Sequence, residues 1–89
     1  MLALPQELTQ SQAMVCLASL LKGMGEQPGL EVVLDATPLT RFDSAALAVL
    51  LDLRRQAVTL GKQLTIRGLP GRLSDLAALY GIAELLQPA

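Results

Sequence analysis

The chain has 89 residues, 52% of them hydrophobic, with a formal net charge of -1 and no histidine. That length suits one domain and is too short for two. The absent histidine removes the commonest general base, the commonest metal ligand and every Ser-His or Cys-His nucleophile pair. The near-neutral charge, with no basic tract, argues against nucleic acid, which needs a positive footprint to neutralise phosphates.

Leu2 and Leu4 alternate with Ala3 before Pro5, which predicts a short first strand. Thr9-Gln10-Ser11-Gln12 has the capping-box form and opens a helix. Ala13, Leu17, Leu20, Leu21 and Met24 make its apolar stripe, and Gly23, Gly25, Pro28 and Gly29 are expected to stop it. Leu30 to Asp35 is apolar and β-branched, the pattern of a buried central strand. A loop from Ala36 to Phe42 leads into a long helix over Asp43 to Leu60, with Gly61 beyond its end.

Gln63 to Arg67 alternates polar and apolar residues and reads as another strand. After a turn at Gly68 to Gly71, Leu73, Leu76, Ala77 and Tyr80 form a helical stripe that ends at Gly81. Ile82 to Leu86 is a tail able to pack back through Ile82, Leu85 and Leu86. Strands alternating with helices imply right-handed crossovers and a largely parallel sheet in an α/β domain spanning residues 1–89.

Cys16 is the only cysteine, so no internal disulfide forms, and its apolar neighbours suggest an inert thiol. The longest apolar run, Ala45 to Leu51, is far short of the roughly 20 residues that span a bilayer. No signal-peptide pattern precedes it, and a cytoplasmic location is expected. Asp35, Asp43 and Asp52 are too scattered for a metal site, and no cofactor is implied. Arg67, Arg72 and Lys62 read as solvated ends of elements.

The long helix has two apolar arcs at about 100° per residue. Ala46, Val49, Leu50, Leu53, Ala57 and Leu60 form the core stripe. Leu47, Leu51 and Val58 form a second arc beside Ser44, Ala48 and Arg55. This second arc is either a wide buried face or a partner patch centred on Leu51. Asp43 and Ser44 are both good helix N-caps.

One segment stands apart. Val33-Leu34-Asp35-Ala36-Thr37, a short loop, then Phe42-Asp43-Ser44-Ala45-Ala46-Leu47 resembles the STAS family. Gly61 to Ile66, Leu76 to Ile82 and Leu4 to Thr9 extend the resemblance over nearly the whole chain. Within the family the chain is most similar to the MlaB-like stand-alone subunit of the Mla phospholipid-transport ABC complex of Gram-negative bacteria. The resemblance implies a STAS-like small mixed, largely parallel sheet covered by helices. It implies a non-enzymatic subunit bound to the ABC-transporter ATPase, peripheral to the inner membrane and without direct membrane insertion. It points to the helix start at Asp43 and Ser44 as a partner contact, and with the second arc of the long helix the expected partner-binding residues are Asp43, Ser44, Leu47, Ala48, Leu51 and Arg55. The weaker resemblance, to anti-sigma factor antagonists, implies a phospho-switch acting on an anti-sigma factor kinase, with Ser44 phosphorylated. Association of the isolated domain as a homodimer stays open.

Two departures carry consequences. Ala46 stands where the family commonly has Gly, which bears on close approach by a partner. The strand that commonly precedes Leu2 is absent, or the start codon has been placed too late, and either case would leave a sheet edge needing cover.

Overall fold

The computed structural model describes residues 2–86. Three parallel strands form the main sheet: β1 (Leu2–Ala3), β3 (Glu31–Asp35) and β5 (Gln63–Arg67), in the order β1-β3-β5. A second, two-stranded parallel ladder joins β2 (Glu7–Leu8) to β4 (Arg41–Phe42). The helices among the described residues are α1 (Gln10–Glu26), α2 (Ala45–Thr59), α3 (Gly71–Leu79) and α4 (Ala83–Leu86). The result is the α/β arrangement with parallel strands that the alternating pattern predicts. Every strand pair is parallel, so the mixed character that was expected does not occur among the described residues.

Alternation along β3 and β5 decides which face is covered. Val32, Leu34 and Ile66 are buried on one side, with Leu64 packed against them. Glu31, Val33, Asp35, Gln63, Thr65 and Arg67 occupy the other side and are exposed or half-buried. β3 is central, as its composition suggests, but only one of its faces is buried. That is why its polar residues fall at alternate positions.

α1 runs further than expected. Gly23 and Gly25 do not stop it, and it ends only before Pro28. Gly23 is a packing site: a Cβ there would press on the Leu2 side chain of β1 at 2.7 Å. Met24, one residue on, is fully buried and anchors the last turns. The free carbonyls at the helix end are met from another element. Lys62 Nζ donates to Met24 O at 3.0 Å and to Gln27 O at 2.6 Å. A cation at a helix C-terminus is also favoured by the helix dipole.

The ends of β3 and β5 interlock. Asp35 Oδ1 accepts from the Thr37 N–H at 3.0 Å and from the Thr37 hydroxyl at 2.7 Å. Gly68, at φ +68°, leaves the space that the Thr37 side chain fills. These hydrogen bonds, the hydroxyl first, hold the Asp35 carboxyl below its usual range, with a smaller contribution from Arg67.

Some stripe residues lie outside the core. Leu60 and Tyr80 follow the last helical residue of α2 and α3 and are 42% and 59% exposed. Leu86 of the tail is buried, whereas Leu85 stays largely exposed.

Replacing Lys62 with Met should lower stability by about 1–2 kcal/mol, because Gln27 O loses its Lys62 donor and Met24 O keeps only the longer bond from the Gln27 N–H at 3.4 Å. That corresponds to a fall in Tm of several degrees for a chain this size. Lys22→Met, at an exposed site, should change stability by less than about 0.5 kcal/mol. Thermal melts of the two variants check the contrast. Asp35 should show itself at acid pH. Its folded-state pKa lies below the ordinary value of 3.8, so its contribution is complete above that pH. The contribution is lost as pH falls through the lower folded value. Acid unfolding curves of the parent and of Asp35→Asn should therefore converge at the acid end, diverge as pH rises towards 3.8 and stay fully separated above it.

Candidate functional site

The two-residue β2–β4 ladder sets the geometry of the α2 start. Gln6 O accepts from the N–H groups of Thr40 and Arg41 at 2.9 and 3.0 Å, and from the Thr40 hydroxyl at 3.2 Å. The loop before α1 is thereby tied to the loop before α2. At the α1 start, Gln12 Oε1 accepts from the Thr9 N–H at 2.8 Å and from the Thr9 hydroxyl at 2.5 Å, closing the capping box.

Asp43 then meets both helices. Its Oδ1 accepts from the Ala45 N–H at 2.8 Å, and its Oδ2 accepts from the Gln10 N–H at 3.1 Å. One carboxylate thus faces the positive ends of α1 and α2 together. Ser44 already has helical dihedrals and makes no side-chain capping bond. Asp43 and Ser44, equivalent as caps by sequence, therefore divide the work. Asp43 holds the helix ends, and the exposed Ser44 hydroxyl is left unused by the cap.

Gln10, Asp43, Ser44, Ala45 and Ala48 line a shallow depression at this point. Ser44, Ala48 and Arg55 lie on one exposed stripe of α2, with Leu51 half-buried beside it. Arg55 pairs with Asp52 at 3.6 Å, an exposed contact that contributes little to stability. Leu47 is corrected: it is only 3% exposed and belongs to the core. α2 is flanked by α1 and α4 as well as by the sheet, which widens its buried arc beyond the first stripe. The second arc is thus divided, with Leu47 inside, Leu51 between, and Val58 exposed. Ala46 is fully buried, so its methyl faces the interior and not an approaching partner.

The other charged residues do not converge. Lys62 is occupied by the α1 carbonyls, Arg67 lies opposite Asp35 in the β3–β5 register, and Arg72 lines a separate depression with Phe42 and Asp75. Among the described residues no group of three or more His, Cys, Asp or Glu side chains is placed to hold a metal ion. Burial raises the pKa of the half-buried Cys16 thiol, the direction that lowers nucleophilicity near neutral pH. No helix among the described residues is long and apolar enough to cross a membrane.

Residues 1–87 match the family described as "Mlab, STAS domain". The chain belongs to this family. No curated protein matches it significantly. STAS domains generally act by interacting with other proteins. Sequence reasoning missed Gln10, whose backbone N–H completes the Asp43 arrangement. A capping motif at Thr9 was legible, but no periodic signal shows that two helix starts meet.

Asp43→Ala should cost about 1–2 kcal/mol, because it removes the acceptor for both helix starts. Ser44→Ala should cost less than about 0.5 kcal/mol, the range of a surface change away from any such feature. Denaturant titrations of both variants test this division.

Proposed function

We propose that this chain is a non-enzymatic STAS interaction subunit that works as a single domain. It binds and supports the cytoplasmic ATPase of a phospholipid-transport, Mla-type ABC complex, which makes it peripheral to the inner membrane. The docking face is the start of α2: Asp43, Ser44, Ala48, Leu51 and Arg55. The observation that carries this reading is the match to the Mlab STAS family over residues 1–87, together with an exposed, small-residue helix start at its centre. Ser44 and Ala48 let a partner backbone come close, and Arg55 supplies a charged rim.

A second reading is supported by one specific feature. The Ser44 hydroxyl is exposed and free of capping duty. Phosphorylation there would leave the Asp43 cap in place and add roughly two negative charges to the docking face. This is the anti-sigma factor antagonist type of switch, with a kinase as partner. Mass spectrometry of the protein from its own host separates the two. Substantial phosphate on Ser44 supports the switch, and its persistent absence supports the constitutive subunit.

Ala48→Glu should weaken binding to the ATPase about a hundredfold or more, because an unpaired carboxylate is desolvated in the contact. Its melting curve should match the parent, since Ala48 is exposed. Ser44→Asp should weaken binding in the same direction without unfolding. Leu47→Glu should unfold the chain by placing a charge in the core. The measurement is co-purification with the ATPase alongside circular dichroism melts. A folded Ala48→Glu variant that binds as well as the parent would sink the docking-face assignment.

A further inference from the structure

We propose that Gln10 of α1 is a partner contact, so that the docking face is built across the junction of α1 and α2 and takes a neutral, hydrogen-bonding segment of the ATPase. The inference rests on the docking face proposed above and adds a residue and a chemistry to it.

The first observation is position. Gln10 is the first residue of α1 and is exposed. It lies 33 positions before Asp43 in the chain, yet it lines the same depression as Asp43, Ser44 and Ala48. A partner surface that covers Ser44 and Ala48 and fills this depression therefore meets Gln10 as well.

The second observation is what holds Gln10 there. Its backbone N–H, and not its side chain, donates to Asp43 Oδ2 at 3.1 Å. The loops before the two helices are tied independently, through Gln6 O and the β2–β4 ladder. Among the described residues nothing hydrogen-bonds the Gln10 side-chain amide, which keeps its donors and its acceptor for other use. A fixed backbone carrying an uncommitted polar side chain suits recognition, because little ordering is left to be done on binding.

The third observation is charge. Among the described residues that line the depression, Asp43 carries the charge, and each of its carboxylate oxygens already accepts from a helix N–H. Each helix start it faces carries about half a positive elementary charge, and the two together offset the carboxylate. The groups left for a partner are neutral: the Gln10 amide and the Ser44 hydroxyl, which is not used by the cap. Main-chain N–H and C=O groups or neutral polar side chains match them. A charged partner group would be desolvated there without an opposite charge to meet it.

Titration calorimetry of the full chain with the purified ATPase of its host's Mla-type complex tests this. Gln10→Ala should weaken binding about tenfold, the effect of leaving partner groups unpaired. Its melting curve should match the parent's, because the backbone N–H that reaches Asp43 is kept. Gln10→Glu and Gln10→Lys should each weaken binding further, because a neutral site accepts neither sign. Ala48→Glu separates the two levels of the reading. If Ala48→Glu binds as the parent does, the docking face fails and the contact at Gln10 fails with it. If Ala48→Glu loses binding while the three folded Gln10 variants keep the parent's affinity, the docking face stands and the contact at Gln10 is overturned. A Gln10→Glu or Gln10→Lys variant that binds more tightly than the parent would overturn the neutral chemistry.

Discussion

The carboxylate of Asp43 ties the starts of the two long helices to one point, and much of the arrangement around the candidate site depends on it. Each of its oxygens accepts from one helix, at Ala45 and at Gln10. Helix ends carry unsatisfied N–H groups and partial positive charge, so placing two of them together without an anion would be unfavourable. With the anion present, α1 and α2 can pack side by side on the same face of the sheet. Their buried residues, Leu20 and Met24 on α1 and Leu50 and Leu53 on α2, then join one core.

This capping arrangement separates the helix start from the exposed surface beside it. Because Asp43 does the capping, Ser44 is spared a structural role and stays exposed at the first position of the helix. A side chain in that place can be contacted or modified without loss of the helix start. The departure at Ala46 has little bearing on the surface, since Ala46 points into the core. The helix start is exposed at Ser44, and the Ala46 methyl fills the interior below it.

The sheet shows a complementary economy. Three short parallel strands bury one face only, and long-range bonds at their ends compensate for their shortness. Lys62 closes the end of α1, and the Asp35–Thr37 turn locks against Gly68. β1, only two residues long, leaves one side without a strand partner among the described residues. Pro5 limits how far any partner could extend along that edge, a common device against indiscriminate strand pairing.

Most elements were legible in the sequence because their signals are local. The alternation of Gln63 to Arg67, the β-branched run ending at Asp35 and the Thr9 capping box each depend on neighbours within a few residues. The STAS resemblance followed from the order and spacing of such segments. What failed was information held between segments. Gly23 looked like a helix stop because its packing against Leu2 is invisible along the chain. Leu47 could belong to core or to a partner patch, because the buried width of α2 depends on α1 and α4 flanking it. The β2–β4 ladder is too short for any periodicity, yet it brings Gln10 to Asp43. The sequence by itself determined the three main strands, the three longer helices, their largely parallel arrangement and the family resemblance. Only the tertiary structure decided which of Asp43 and Ser44 is the cap, because that depends on where a second helix begins.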